Sequence, residues 1–381
     1  MSKKNNSAKK RFRWWQIPVG IISGLLCIVI IYVAYVFISY NRIEDKLDIE
    51  VVGTAANSEV KLDTEYNAMT YNIGFGAYTP DFTFFMDGGT QSWAASKESV
   101  IDCTNGDIAL LKEHKVDFPI IQEVDFDSTR SYHVDQVQMI RDAFEGYSST
   151  KAVNFHSAFL FYPFTQPHGS SNSSLLTLSN YRIQSSLRRS LPISTSVSKL
   201  VDLDRCYCIN RIDVENGKQL VIINVHLSAY GTNGDLQSQQ LSMLFGDMQE
   251  EYDKGNYVIC AGDFNHDFLG DSKDIFNDTY EEQSWAAAFP DELIPAHFSK
   301  VTDYASGATT PSCRNCDVPY TAKHDTPYDP DTDGPYDEKC FTVILDGFIV
   351  SDNVEPTYVD VINNEFTYSD HNPVEMKFKL K

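Results

Sequence analysis

An uncharged apolar run near the N-terminus is the feature that most constrains this chain. From Ile17 to Tyr40 the sequence reads IPVGIISGLLCIVIIYVAYVFISY, 24 residues without a charge, bounded by Arg13 and Arg42. At about 1.5 Å per residue, a helix of this length crosses the ~30 Å hydrocarbon core of a bilayer. A signal peptide would have a shorter apolar region and an A-x-A-like cleavage site, and a soluble core helix rarely lacks a polar face. We therefore predict a transmembrane helix over residues 17–40.

The charge on either side of this run predicts its orientation. Residues 1–16 contain six Lys or Arg and no acid, a contribution of +6 to a whole-chain formal charge of −22, so the rest carries −28. The excess of Lys and Arg before the helix predicts a cytoplasmic tail over 1–16, a contact with the lipid bilayer through 17–40, and an extracytoplasmic location for everything beyond. The acidity of that part argues against a protein that binds nucleic acid passively through its phosphates. An anionic substrate would require a cation.

The rest of the chain reads as a linker followed by one large domain. Residues 41–64 are polar without a strong period and predict a linker, and 65–381 mixes strand-like and helix-like segments. Within the domain, 295–342 is a long irregular insertion rich in Pro, Asp, Tyr and Cys. Predicted strands are Tyr66–Ile73, Phe118–Gln122, Ser174–Ser179, Gln219–Val225, Tyr257–Ala261, Val343–Val350 and Val374–Leu380. Predicted helices are Ser96–Lys115, Val134–Phe144 and Leu236–Glu251.

Polar residues suited to a metal or a phosphate lie at the ends of five of these apolar segments. Each alone has an ordinary structural explanation, since an Asn can cap a turn and a lone His is often structural. Together they offer oxygen ligands for a hard cation, and imidazole, amide and carboxylate groups that can activate water and stabilise a phosphorane-like transition state. They are Asn72, Glu123, Asn224, His226, Asp263, Asn265, Asp370 and His371.

The order of these segments resembles a known enzyme superfamily. MTYNIG, IIQEV, NVHLS, AGDFN, LDGFIVS and YSDHNPV stand in the order of the motifs of endonuclease/exonuclease/phosphatase proteins, over roughly residues 65–381. The resemblance implies an α/β (α+β) DNase I-like fold, a two-layered β-sandwich flanked by helices in four layers, here preceded by one transmembrane helix. It also implies hydrolysis of a phosphoester.

The resemblance assigns the divalent metal to matching positions. The Asn of the first strand and the Glu of the QE motif bind the metal in that family, which implies Asn72 and Glu123 here. The closing SDH motif supplies a metal-linked Asp, matching Asp370. Mg²⁺, or Mn²⁺ or Ca²⁺, is the implied cofactor.

The catalytic residues are implied in the same way. His226, Asp263 and Asn265 match residues that surround the scissile phosphate, and His371 matches a catalytic His. Asp346 matches the Asp that pairs with this His, a pairing that fixes the tautomer and stabilises the imidazolium. The general base is either Asp263 or His371.

Four further residues are candidate substrate contacts. Asn172 precedes a strand in a Ser/Asn-rich loop, and its ordinary alternative is a loop residue without a functional role. Arg182 follows that strand, and its ordinary alternative is a surface charge. Asn224 is two residues before His226. Arg314 lies in the insertion, where a guanidinium fork could hold a phosphate and where surface charge is the ordinary alternative.

The insertion also contains metal-ligand or disulfide candidates. Cys313 and Cys316 have C-x-x-C spacing, so with His324 and Cys340 they permit a zinc site. Outside a membrane, a disulfide from Cys340 to Cys313 or Cys316 is favoured instead. Residues 329–334 resemble the start of a calcium loop, but Cys340 replaces the expected acid and a solvated acidic loop is favoured.

These features together predict a membrane-anchored, extracytoplasmic, metal-dependent phosphoesterase. Its substrate would be a phosphodiester in a nucleic acid or a phospholipid head group, and no obligate protein partner is inferred. The alternative is a catalytically inactive surface binding module on the same fold.

Overall fold

The first unit of the chain is a helix and the second is a large α/β domain. The computed structural model describes residues 13–200, 203–229, 234–276, 283, 285–320 and 340–381. The boundary between the two units falls between Asn41 and Arg42. In the first unit, Gln16–Ser39 forms one helix that is long and apolar enough to cross a membrane, and Val36 is its only buried residue.

The helices and strands of the described residues are as follows. The α-helices are α1 (Gln16–Ser39), α2 (Lys97–Glu113), α3 (Gln136–Ala143), α4 (Gly234–Asp253) and α5 (Ser272–Phe276), with 3₁₀ turns at Gly74–Gly76, Thr129–Ser131, Val197–Leu200 and Asp291–Leu293. The strands are β1 (Leu47–Ile49), β2 (Val51–Val52), β3 (Tyr66–Asn72), β4 (Phe118–Asp125), β5 (Ser148–His156), β6 (Asn172–Ser179), β7 (Ile183–Ser190), β8 (Cys206–Asp213), β9 (Gln219–His226), β10 (Tyr257–Asp263), β11 (Phe298–Lys300), β12 (Cys313–Arg314), β13 (Thr342–Val343), β14 (Asp346–Ser351), β15 (Val354–Val361) and β16 (Val374–Leu380).

Two mixed seven-stranded sheets form the centre of the domain. The first sheet has the order β15-β16-β3-β4-β6-β5-β2 and the second has the order β1-β7-β8-β9-β10-β14-β11. The central pairs β3–β4 and β9–β10 are parallel, so the carboxyl ends of each pair lie at the same edge of its sheet. Both sheets therefore carry polar strand ends at one edge, which we call the active edge.

Helices cover the outer faces of the two sheets. Helices α2 and α3 place Ile108, Leu111 and Ile140 against apolar side chains of the first sheet. Helix α4 packs Leu241, Leu244, Phe245 and Met248 into the core that includes the second sheet, at the spacing expected of one helix face. The predicted fold, with two packed sheets between helices and an apolar helix before them, is confirmed.

The segment predicted as a linker, 41–64, is instead part of the domain. Leu47–Ile49 pairs with β7 at the edge of the second sheet, and Val51–Val52 pairs with β5 at the edge of the first. Val60 is fully buried and bridges to Val214. Short edge strands carry little periodicity, which is why the sequence pattern did not predict them.

The insertion predicted as irregular, 295–342, contains regular structure in its described part. Phe298–Lys300 joins the second sheet as an edge strand beside β14. Cys313–Arg314 pairs with Thr342–Val343, and Cys313 also forms a bridge with His371. The described part of the insertion therefore packs directly against the SDH segment. His324 and the acidic residues of 329–334 lie outside the described residues.

Candidate active site

Asn72 lies at the centre of the active edge. Its Nδ2 is 3.1 Å from Oδ2 of Asp263, 3.4 Å from Oε1 of Glu123 and 3.4 Å from Nε2 of His371. Its Oδ1 accepts a hydrogen bond of 3.0 Å from the Gly74 backbone N–H, which fixes the orientation of the amide. One side chain thus contacts groups from both sheets.

A break in strand register aims Glu123 into this site. The pairing of β4 with β6 shifts between Ile121 and Val124, and Glu123 has φ +56°, which is uncommon for a residue with a side chain. Burial raises the pKa of the Glu123 carboxyl, Arg130 opposes that effect, and the Asp370 carboxylate adds to it. Glu123 and Asp370 are therefore close enough to repel each other, an arrangement that a divalent cation would relieve.

Close packing of two parallel strands places His226 beside Asp263. An added Cβ at Gly262, where φ is +153°, would lie 1.9 Å from the Val225 carbonyl oxygen, so glycine is required here. His226 Nε2 is 3.5 Å from Asp263 Oδ2. Burial and the Asp346 carboxylate raise the pKa of Asp263 to about 7. Burial and the Arg205 charge lower the pKa of His226 well below its ordinary value, which favours a neutral imidazole.

His371 is held by a buried carboxylate. Its Nδ1 lies 2.7 Å from Oδ2 of Asp346, which also accepts a 2.7 Å hydrogen bond from the Ser312 hydroxyl. Burial alone would lower the pKa of His371, but the charge and hydrogen bond of Asp346 act together with Cys313 and raise it well above its ordinary value. The geometry therefore favours a positively charged His371 whose Nε2 faces Asn72 and Asp263.

Asn265 and Asp370 complete the cluster. The Asn265 backbone N–H donates to Asp263 Oδ1 at 2.9 Å, and its Nδ2 donates to the Leu227 carbonyl at 2.8 Å. Asp370 is half-buried, and Cys316 Sγ lies 3.6 Å from its Oδ2. The structure thus brings all eight predicted metal and catalytic residues to one edge.

Two groups of residues at this edge could hold a cation. Among the described residues, one set of three carboxylate or imidazole ligands has atoms within 4.8 Å of one another: Asp263, Asp346 and His371. In that set Asp346 Oδ2 already accepts hydrogen bonds from His371 and Ser312, so Asp346 is suited to holding the proton on Nδ1 of His371. The other group, Asn72, Glu123 and Asp370, offers oxygen donors and the mutual repulsion described above.

Arg205 is a charged residue of the site that the sequence pattern did not reveal. It directly precedes β8, whose first residues lie opposite the end of β9, and it is almost fully buried. Its charge acts on both His226 and Glu123, and its Nε and Nη1 atoms have no hydrogen-bond partner in the protein. A buried guanidinium with free donors beside carboxylates and imidazoles is suited to an anionic group. The only sequence feature that could have indicated this role is the position of Arg205 directly before an apolar strand.

The structure does not bring Asn224 and Arg182, two predicted substrate contacts, into this cluster. Asn224 is fully buried between the sheets, where it accepts from Gln122 Nε2 at 2.9 Å and donates to the Ile121 carbonyl at 3.1 Å. Arg182 is exposed beyond the end of β6, and because β6 runs antiparallel to β4, this end lies opposite the active edge. The sequence could not distinguish the two ends of a strand whose partner was unknown.

The other two predicted contacts lie on the correct edge, and each already donates one side-chain hydrogen bond to a backbone carbonyl. Asn172 begins β6, and its Nδ2 donates to the Asp127 carbonyl at 2.8 Å. Arg314 is 1% exposed, and its Nη2 donates to the Thr79 carbonyl at 3.0 Å. Its backbone N–H donates to the Asp370 carbonyl, while its Nε and Nη1 have no hydrogen-bond partner in the protein, so Arg314 stays a candidate contact beside the SDH segment.

The predicted disulfide is also corrected. Cys313, Cys316 and Cys340 are buried and form no disulfide, as holds for the other five cysteines. Cys340 Sγ is 3.1 Å from the Asn315 carbonyl, and Cys313 Sγ is 3.5 Å from the Arg314 carbonyl. The zinc interpretation included His324, which lies outside the described residues.

Comparison with solved structures identifies the class to which this architecture belongs. An endonuclease/exonuclease/phosphatase from Beutenbergia cavernae DSM 12333 superposes with a TM-score of 0.53 and 16% identity, over 83% of this chain and 72% of that one. The chain therefore has the endonuclease/exonuclease/phosphatase fold.

More distant structures give lower scores. An endonuclease/exonuclease/phosphatase from Bacteroides vulgatus has a TM-score of 0.48 and 16% identity, over 84% of this chain and 100% of that one. TDP2 from D. rerio, complexed with a single-strand DNA product, has a TM-score of 0.48 and 14% identity, over 83% and 100%. No protein-family model and no curated protein matches the sequence.

Proposed function

We propose that this protein is a divalent-metal-dependent phosphoesterase, anchored in a membrane by α1 with its domain on the extracytoplasmic side. The observation that carries the proposal is the gathering of eight polar side chains, Asn72 among them, at one edge of the two sheets. The pKa of His371 is raised, which favours its cationic form, and the pKa of the neighbouring Asp263 is raised to about 7. Groups with such shifted pKa values are typical of sites that transfer protons. The fold of the solved relatives supports the hydrolase class.

Asn72, Glu123 and Asp370 would hold the divalent metal. Their oxygen donors suit Mg²⁺, Mn²⁺ or Ca²⁺, and the two carboxylates repel each other in its absence. A divalent cation bound there would supply Lewis-acid polarisation of the phosphoryl group.

The remaining residues would carry out hydrolysis. In this reaction the oxygen of water bonds to phosphorus, the bond from phosphorus to the leaving oxygen breaks, and that oxygen gains a proton. Asp263, with a pKa of about 7, is suited to accept the proton of water. His226, His371 and Asn265 surround the phosphate position and would stabilise its developing negative charge.

The length and composition of α1 support membrane anchoring. The helix has apolar side chains around its whole circumference and almost none of them is buried. The six basic residues within 1–16 support a cytoplasmic N-terminus.

Hydrolysis of a water-soluble aryl phosphodiester by the detergent-solubilised full chain tests the proposal. With Mg²⁺ or Mn²⁺ we expect turnover that excess chelator abolishes. His226→Ala and Asp263→Ala should each lower kcat about 10²–10⁴-fold, since each removes a group that acts on the transition state.

Matched variants at exposed positions serve as controls. His297→Ala and Asp352→Ala alter an exposed His–Asp pair and should retain turnover. Thermal unfolding should show that all four variants fold. Absence of turnover with any metal would contradict the proposal and favour the inactive binding module.

A further inference from the structure

We infer that the loop between β5 and β6 is a membrane-contacting surface, and that the site acts on phospholipid head groups of the bilayer that anchors the chain. This inference rests on the proposed function and names its substrate class. Residues 157–171, here called the aromatic loop, provide the contact surface. The argument combines the exposure of this loop, its position on the active edge, and the place where the domain begins.

The aromatic loop exposes large apolar side chains. Phe164 is 84% exposed, Tyr162 64% and Phe161 50%, and Met86 from a neighbouring segment is 58% exposed. Phe85, next to Met86, contacts the Tyr162 ring with 5.9 Å between centroids, so the four side chains belong to one surface. A concentrated exposed apolar surface on a folded domain marks a protein or membrane contact.

The composition of the loop favours lipid over water. Residues 157–167 read SAFLFYPFTQP and contain no charge, in a chain where 22% of residues are charged. Aromatic side chains, and Tyr in particular, are stable at the level of lipid head groups because one end is apolar and the other polar.

Hydrogen bonds hold the loop in its exposed conformation. Leu160 and Gly169 exchange backbone hydrogen bonds of 3.0 Å, which closes the loop as a hairpin. Trp93 Nε1 donates to the Pro167 carbonyl at 2.7 Å, and the Ser92 hydroxyl donates to the Gln166 carbonyl at 2.6 Å. The aromatic side chains are thus displayed by a supported framework, which reduces the entropy lost on contact.

Strand register places the loop on the active edge. His156, the last residue of β5, lies opposite Asn172, the first residue of β6. The start of β6 lies opposite the end of β4, where Ser173 pairs with Asp125. Glu123 is only two residues before Asp125, so the loop begins and ends at the edge that holds the metal ligands.

The domain also begins at this edge. Ile43 donates its backbone N–H to Asp204 Oδ2 at 3.0 Å, and the same carboxylate oxygen lies 3.4 Å from Nδ1 of His156. Asp204 directly precedes Arg205, whose charge acts on His226 and Glu123. One residue therefore connects the start of the domain, the base of the aromatic loop and the active site.

Little chain lies between α1 and the domain. Helix α1 ends at Ser39 and the domain starts at Arg42, so three peptide units, which span at most about 11 Å, connect them. A lipid head group is the phosphoester that a membrane-anchored chain meets in its own bilayer.

The charge of the chain favours a lipid over a nucleic acid. Exposed aromatic rings can also stack on bases, but binding of single strands requires a positively charged groove beside the rings. The chain beyond residue 16 carries −28, and no cation lies within 157–167. Binding to a zwitterionic lipid surface does not require a positively charged groove.

Fluorescence quenching tests the contact independently of activity. The full chain is placed in phosphatidylcholine nanodiscs with or without brominated acyl chains, and wild-type fluorescence is subtracted. We expect the tryptophan added in Phe164→Trp to lose at least half of its emission to the brominated lipid. Leu293→Trp adds a tryptophan at an exposed apolar position outside the loop, and its emission should not change. Equal quenching of the two variants, or of neither, would overturn the contact.

Hydrolysis in the bilayer tests the substrate class. Nanodiscs of phosphatidylcholine, phosphatidylethanolamine and phosphatidylglycerol are incubated with metal, and loss of phosphodiester is followed by phosphorus NMR. The double variant Tyr162→Ser/Phe164→Ser should lower lipid hydrolysis at least ten-fold more than it lowers hydrolysis of a soluble aryl diester. Leu293→Ser should change neither rate.

The outcomes separate this inference from the proposed function. Soluble diester hydrolysis without loss of any lipid overturns the lipid substrate and leaves the phosphoesterase standing. Selective loss of single-stranded DNA hydrolysis in the double variant overturns it in favour of base stacking. Quenching without any hydrolysis supports the membrane contact and contradicts the proposed function.

Discussion

Two buried imidazoles of the active edge have opposite electrostatic environments. Asp346 raises the pKa of His371, whereas burial and the Arg205 charge lower that of His226, so the two imidazoles beside Asp263 are pushed toward opposite protonation states. Opposed environments of this kind distinguish a group that stabilises negative charge from one that hydrogen-bonds as a neutral donor.

Arg205 offers a direct test of phosphate recognition. We expect Arg205→Ala to lower kcat/KM for a phosphodiester about 10²-fold or more, because it removes a buried cation with free donors, and Arg205→Lys to restore part of the loss. Steady-state kinetics on the full chain measures both. Arg182→Ala, at the opposite edge, should be neutral; an equal loss there would show a general effect of lost positive charge.

The buried carboxyl of Asp107, which is not one of the candidate metal ligands, is expected to make the stability of the fold depend on pH. Burial on helix α2 raises the pKa of its carboxyl well above the ordinary value, and the nearby Tyr71 hydroxyl offsets this only in part. The folded state therefore holds the proton more tightly than the unfolded chain, so stability is greatest below about pH 4 with respect to this group and falls as pH rises.

Asp107→Asn should remove this dependence. The melting temperature of the variant relative to wild type is expected to increase from pH 5 to pH 8, measured by thermal unfolding of the full chain in detergent. Asp102→Asn, at an exposed position of the same helix, should show a constant difference. A constant difference for Asp107→Asn as well would show that its carboxyl is ionised in the folded state.

At the scale of elements, the site depends on how closely β9 and β10 approach. Gly262→Ala would force its Cβ against the Val225 carbonyl and separate the strands that carry His226 and Asp263. We expect a loss of about 3 kcal/mol or more in stability together with loss of turnover, measured by denaturant unfolding and diester hydrolysis. Gly246→Ala, in helix α4 with open space around an added Cβ, is the matched control and should be tolerated.

Elements also explain what the sequence could and could not predict. Asn72, His226 and Asp263 end apolar strands, so the sequence pattern located them. Parallel pairing brought His226 beside Asp263, and packing of the two sheets brought Asn72 to both. The bulge that turns Glu123 inward and the edge strands of 41–64 depend on pairing partners far along the chain. The position of Arg182 at the opposite end could not be predicted for the same reason, because local pattern does not reveal which end of a sheet a residue occupies.

At the scale of the whole molecule, the basic residues before α1 predict the orientation of this helix. We expect protease added outside intact cells to digest the domain, while a tag placed before Met1 stays protected until the cells are permeabilised. The six basic residues of 1–16 are the reason, since they favour the cytoplasmic side. Protection of the domain, with digestion of the tag, would reverse the topology.

A polar seam runs between the two sheets beneath the active edge. Gln122 donates to Asn224 Oδ1, Asn224 donates to Thr177 Oγ1, and Thr150 donates to Asn210 Oδ1, all of them fully buried. Apolar side chains tolerate a small slide of one layer over the other, but these directional bonds are satisfied in one alignment only.

These hydrogen bonds fix the alignment of the two sheets, and each sheet contributes part of the site. The first sheet contributes Asn72 and Glu123, and the second contributes His226 and Asp263. If one sheet shifted by one residue relative to the other, several buried amides would lose their hydrogen-bond partners, at a cost of about 1–3 kcal/mol each. The alignment of the candidate site is therefore set inside the sandwich, and the loops above it can vary in sequence without disturbing that alignment.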